Sequence, residues 1–316
     1  MTDMLTVGLH RDVPMDFYLS DEGTPQPALS ASGIRTLIEA TPLAFAARNP
    51  RLWRELGLWD GEFKRRESKQ TKLGTAIHSL LLEDGAAIFV KRPGEFRNKD
   101  GKPSKNMGSD DAKMAIAEAI AAGKVDISED EEKIAIQAKE HAEKKILANP
   151  IYGEAWERAE PEVTLIWQRE TSRGPIWCRG RADKLDLAAG IAFDPKSTAK
   201  SIDAQSLARK FASEGTDYQA AWMVDGIETL FPALRGRARF VPIAIEVAPP
   251  FDSRFVRFPA STMQLIGQQI DLACELFGRC VYSGEWLGWD DSAGETVLPE
   301  VSWKEKAIME ALEAEE

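Results

Sequence analysis

Between residues 162 and 196 the apolar residues recur at every second position, where the preceding sequence spaces them by three or four, and this switch of period constrains the fold most. EVTLIWQR (162–169) and IWCRGRADKLDL (176–187) flank a turn around 173–175, and IAFDPK (191–196) follows a tight AAG turn. Three strands in an antiparallel meander are expected. Upstream the spacing is helical. Ser30 or Ser32 can cap IRTLIEA, and KLGTAIHSLLLE (72–83) sets Leu73, Ile77, Leu80 and Leu81 on one side with His78 in the middle. RNKDGKPSKNMGSDD (97–111) lacks any apolar period and reads as a loop. Helices are predicted at about 110–122 and 128–148, the second with Ile134, Ala138 and Ala142 on one stripe. Beyond the meander come helices at about 203–212 and 217–231, a strand at 238–248 and a long helix at 261–282. An α/β core is the architecture this order implies.

The chain has 316 residues, 43% of them hydrophobic, enough for a sizeable core in one large domain. Three cysteines, Cys178, Cys274 and Cys280, are too few for a disulfide framework or a four-thiolate cluster, which points to a reducing cytoplasm. No segment reaches the roughly 20 apolar residues that span a bilayer, and the opening residues lack the apolar run of a signal peptide. The formal charge of -11 is concentrated at one end: ten acids against two lysines after residue 282 leave only -3 on the rest. The body carries basic clusters at Lys64, Arg65, Arg66, Lys69 and Lys72, at Arg97, Lys99, Lys102 and Lys105, and at Arg235, Arg237 and Arg239. Charge alone therefore neither requires nor excludes a nucleic-acid partner.

Asp183 and Asp194 fall on adjacent strands of the meander, and Lys196 stands two residues beyond Asp194, on the same face of its strand. Paired carboxylates suit Mg²⁺, which takes hard oxygen ligands and usually only one or two carboxylates, leaving places for water and phosphate oxygens. A neighbouring ammonium supplies a fixed cation for charge that builds during phosphodiester cleavage. The same string also suits ordinary strand residues in weak surface pairs. Against that, Asp194 ends the apolar run Ile191, Ala192, Phe193, where an acid without a partner is costly. No nucleophile elbow, glycine-rich phosphate loop or HExxH string surrounds Ser172, His141 or Cys178.

The strings LGTAIHSLLLE, CRGRADKLD, IAFDPKSTAK and DYQAAWMVDGIE, in that order, resemble the RecE-type exonucleases (exodeoxyribonuclease VIII) of the PD-(D/E)xK nuclease superfamily. The resemblance runs from about Ser30 to the tail. It implies a PD-(D/E)xK core, a central mixed sheet with an antiparallel meander flanked by helices, over 28–282, with a helical insertion around 110–148, an N-terminal arm at 1–27 and an acidic tail at 283–316. It gives metal-binding roles to Asp183 and Asp194, the lysine role to Lys196, and a place at the metal, as ligand or outer partner, to His78. Gln219 matches the glutamine of a Q-x-x-x-Y motif whose tyrosine is replaced by Met223, with Tyr218 a possible substitute. Glu162 is a further candidate ligand, in competition with Glu83. The resemblance also implies Mg²⁺, with Mn²⁺ as a substitute, duplex DNA ends as substrate, 5′-to-3′ digestion, a ring-shaped homo-oligomer such as a tetramer, and a single-strand annealing protein as partner. An endonuclease, or a non-catalytic DNA-binding member of the same fold, remains the alternative. Pro195 departs from the usual small β-branched residue between acid and lysine, and the missing N–H places it at an edge or a bulge.

Overall fold

The computed structural model describes residues 4–58, 72–82, 88–98 and 100–289. Its elements, in chain order, begin with β1 (Gly8–His10), α1 (Met15–Ser20), β2 (Ala28–Leu29), α2 (Ala31–Glu39), α3 (Pro42–Ala46), α4 (Pro50–Glu55) and α5 (Lys72–Leu82). β3 (Ile88–Lys91), α6 (Asp110–Ala121), β4 (Val125–Ser128), α7 (Glu129–Leu147) and α8 (Gly153–Arg158) follow. The second half runs β5 (Glu160–Thr171), β6 (Gly174–Asp186), β7 (Ile191–Thr198), α9 (Ala204–Glu214), α10 (Thr216–Leu230), β8 (Arg239–Glu246), β9 (Ser253–Phe255) and α11 (Ala260–Ser283). The boundaries follow local chemistry. Ser30 accepts from the Gly33 amide to start α2, Thr41 caps α3 before Pro42, and Ser128 and Glu131 form a reciprocal capping box on α7. Gly190, with φ +69°, closes the turn between β6 and β7.

The architecture is α/β: one mixed sheet in the order β1-β5-β6-β7-β8-β9, with helices on both faces and a separate two-stranded sheet, β3-β4. The meander β5-β6-β7 is antiparallel as expected, β8 joins β7 in parallel, and β9 closes the far edge. On one face Leu165, Trp167, Ile176 and Cys178 pack against α2, α10 and α11. On the other, Phe193, Val241 and Ile243 pack against α5, α7 and α8. Each fully buried large apolar side chain contributes about 1.5–3 kcal/mol, so both layers are firmly seated. On α7 the buried stripe is Ala135, Ala138, Ala142 and Ile146, one residue off the expected register at its start, since Ile134 is only half-buried. The N-terminal arm lies along the sheet, with β1 bonded to β5. No helix among the described residues is long and apolar enough to cross a membrane. The acidic tail beyond residue 289, Glu83 and the basic run from Lys64 to Lys69 lie outside the described residues.

β6 has two neighbours on the side away from β5. At its start Trp177 and Cys178 pair with β2, and at its end Lys184, Leu185 and Asp186 pair with β7. Between Cys178 and Lys184 no strand among the described residues pairs with that edge. The Arg179 carbonyl within the gap accepts a hydrogen bond from the Trp222 indole of α10 at 2.9 Å, so the missing ladder leaves this backbone group satisfied.

Candidate active site

Asp183 and Asp194 meet where this gap begins. The last β6–β7 pair is Lys184↔Phe193, and one step further along the two strands the register sets Asp183 against Asp194. The burial alternation of β6 slips here as well, since Asp183 and Lys184 are both partly exposed between buried Ala182 and buried Leu185. Asp194 is 1% exposed and accepts at Oδ1 from Lys196 Nζ at 2.9 Å and from Gln219 Nε2 at 3.1 Å. Lys196 also donates to the side-chain amide oxygen of Gln219, Oε1, at 3.3 Å. His78 Nε2 lies 2.9 Å from Asp183 Oδ2. One helix layer therefore contributes His78 from α5 and the opposite layer Gln219 from α10, with the parted strands between them.

The charges are tightly coupled. Burial pushes the Asp194 carboxyl up, Lys196 pulls it back and Asp183 pushes it up again, to about 7 from an ordinary 3.8. Burial acts the same way on Asp183, but His78 and Lys196 outweigh it and hold that carboxyl below its ordinary value. Burial works against the imidazolium of His78, and Asp183, Glu162 and Asp194 reverse this and raise it. Burial likewise lowers Lys196, and Asp194 with Asp183 more than compensates, so the ammonium is retained.

Asp194 Oδ2 is buried without a hydrogen-bond partner, in contrast to the doubly bonded Oδ1. An orphaned carboxylate oxygen facing a second carboxylate is the arrangement a hard divalent cation relieves, and the donor set fits Mg²⁺. Asp183 and Asp194 would hold the ion. Among the described residues no three His, Cys, Asp or Glu side chains are gathered as a ready cage, so the fit is to an open site with two carboxylates and not to a closed one.

Of the sequence-predicted residues, the structure brings together His78, Asp183, Asp194, Lys196 and Gln219. Glu162 lies close by but its carboxylate is engaged by Arg181 Nε. It also does not open its strand, because β5 begins at Glu160. Tyr218 points elsewhere, donating its hydroxyl to Gln269 of α11 at 2.6 Å, and Met223 is buried in the core. Pro195 lies at a local edge as expected: β7 is paired with β8 throughout, but its pairing with β6 ends at Phe193. The carbonyls of Gly190 and Thr198 accept from the amides of Arg239, which opens β8, and Val247, just past its end, so even-numbered residues of β7 bond toward β8 and Pro195 faces the β6 side, where pairing has already ended. Its missing N–H is lost where no ladder needs it. Arg181 was not singled out from the sequence, although it stands two residues before Asp183 in the same strand.

No protein-family model matches the sequence, and no curated protein matches it. The structure is similar to the crystal structure of a candidate exonuclease from Eubacterium rectale, with a TM-score of 0.50 and 14% identity, covering 92% of this chain and 96% of that one. At that identity the likeness concerns the fold, a mixed sheet flanked by helices.

Proposed function

We propose that this chain is a magnesium-dependent deoxyribonuclease with a PD-(D/E)xK core, acting on the ends of linear duplex DNA. The observation that carries the proposal is the juxtaposition of Asp183 and Asp194 at the parting of β6 and β7, with Lys196 and Gln219 on one Asp194 oxygen and the other oxygen buried and unpartnered. When bound, Mg²⁺ would supply Lewis-acid activation of water and neutralisation of phosphate charge. The protein's own groups do the rest. Asp194 is fixed by two donors, so its free oxygen has one direction. Lys196, held protonated by the two acids, stabilises negative charge building on the phosphate and orients water without acting as a base. His78 fixes the rotamer of Asp183 through the 2.9 Å contact.

The finer assignment follows the sequence resemblance: a RecE-like 5′-to-3′ exonuclease, processive as a ring-shaped homo-oligomer, handing a 3′ strand to a single-strand annealing protein in recombination, with Mn²⁺ able to replace Mg²⁺. The test is incubation with linear and with closed circular duplex DNA, with and without Mg²⁺, beside an Asp194→Ala, Lys196→Ala double variant. Loss of linear DNA alone, dependent on metal and on both residues, is the expected result. Cleavage of circles would make it an endonuclease, and binding without cleavage would overturn the enzyme assignment.

A further inference from the structure

We propose that Arg181 is a positioning residue that sets the metal preference of the site by holding Glu162 away from it; this rests on Asp183 and Asp194 being the metal ligands. Glu162 lies between the pairs Pro161↔Lys184 and Val163↔Ala182, so the register places it across from Asp183. Its backbone is left-handed, with φ +54°, inside an otherwise extended strand. A long-side-chain residue adopts that conformation rarely and keeps it only where its surroundings over-determine it. The surroundings here are Arg181. Its Nε donates to Glu162 Oε2, its Nη1 donates to the Val13 carbonyl at 2.6 Å and lies 3.5 Å from Thr164 Oγ1, and its guanidinium sits 5.9 Å from the Tyr18 ring. Both partners are largely buried, at 13% and 16% exposure, so neither carboxylate nor guanidinium exchanges freely with water.

Ligand number decides what such a pair does. With Glu162 committed to Arg181, the site offers two carboxylates, the number that Mg²⁺ takes while keeping several waters. Releasing Glu162 opposite Asp183 would add a third negatively charged oxygen donor. Ca²⁺ accepts six to eight oxygen ligands in flexible geometry and gains most from that addition. Arg181 thus keeps the centre open and magnesium-like, and the N-terminal arm, through Val13, helps keep Arg181 in place.

The experiment is calorimetric titration of the full chain with Mg²⁺ and with Ca²⁺, without DNA. The wild type is expected to bind Mg²⁺, and Asp183→Asn to lose it. Arg181→Met is expected to tighten Ca²⁺ relative to Mg²⁺ by roughly tenfold or more, and adding Glu162→Gln to that variant is expected to restore the wild-type ratio. An unchanged ratio in Arg181→Met, or the same rise in the double variant, overturns the proposal. Glu162→Gln alone is expected to leave Mg²⁺ affinity within about threefold, whereas a loss of roughly tenfold or more would make Glu162 a ligand already and overturn it even if Arg181→Met failed to fold. Absence of Mg²⁺ binding to the wild type overturns the metal assignment itself, an outcome distinct from an unmoved ratio.

Discussion

Replacing Asp194 by Asn should make the metal-free protein more stable while removing the site's metal affinity. The side chain is 1% exposed, one oxygen has no partner, and Asp183 stands opposite, so its ionised form is under strain when no cation is present. Its folded value of about 7 lies above the ordinary 3.8, which means that ionisation costs stability at high pH. That cost is complete above about 7, shrinks as the pH falls through that value and is gone below 3.8, where the carboxyl is protonated in both states. The full displacement sets a ceiling of about 4 kcal/mol, at about 1.4 kcal/mol per pKa unit. Asp183 is held down by the same neighbours and returns part of this, and Asn forfeits the charge of the Lys196 pair. A net gain of about 1–3 kcal/mol at pH 8 remains, or about 1.5–4.5 °C in Tm for a chain of this size. Thermal unfolding in chelator at pH 8 and pH 5 measures it. Adding Mg²⁺ should then raise the Tm of the wild type and not of Asp194→Asn, because only the former binds. A variant less stable than wild type in chelator at pH 8, or a difference that does not shrink at pH 5, would refute the account of strain at Asp194.

Lys196→Met, which keeps an unbranched side chain and removes the terminal ammonium, should cost roughly 100-fold or more in cleavage rate while leaving Mg²⁺ binding in place, as single-turnover kinetics beside calorimetry would show. Gly226→Ala should destabilise by about 1–2 kcal/mol, because overpacking outweighs the gain in helix propensity. An added Cβ would lie 2.9–3.2 Å from three ring atoms of Trp167, itself held by Trp222 and by its indole bond to Asp225, and denaturant unfolding checks the sign. Burial pushes the Asp126 carboxyl up, but hydrogen bonds from Lys72 and Lys91 outweigh it and bring it below its ordinary value. This pairing stabilises the fold above pH 3.8 and is lost as the pH falls through the lowered value, so Asp126→Asn should flatten the acid limb of the stability curve.

What the sequence displayed and what it concealed divide along physical lines. The meander was legible because twelve- and thirteen-residue strands are long enough to show a period of two, and the caps at Ser30 and Ser128 mark helix starts by residue type. β1, β2, β3, β4 and β9 run to four residues or fewer, too short for any periodic signal. Asp194 and Lys196 were legible from strand spacing. His78 and Gln219 were not, since nothing in a helix says which distant strand it will cover, and only the order of motifs pointed to them. The engagement of Glu162 by Arg181 was hidden because it depends on a left-handed residue that alternation does not foresee.

The features that weaken the central sheet are also the ones that shape the site. A continuous β6–β7 ladder would leave no room for water and a phosphate between Asp183 and Asp194, so the ladder must stop, and a stopped ladder must not leave buried donors unpaired. Pro195 offers no donor to the open side of β7, and Trp222 satisfies the Arg179 carbonyl across the gap. Pro242, the β8 neighbour of Asp194, likewise lacks a donor on the side facing β9, beyond the last named residue of that strand. Two prolines that argue against central strands when read as propensities therefore fall at the register of Asp194 and the residue after it. At Pro195 the sheet is relieved of a hydrogen bond it could not make beside the open site, whereas Pro242 faces β9 and accepts there from the Val256 amide at 2.9 Å.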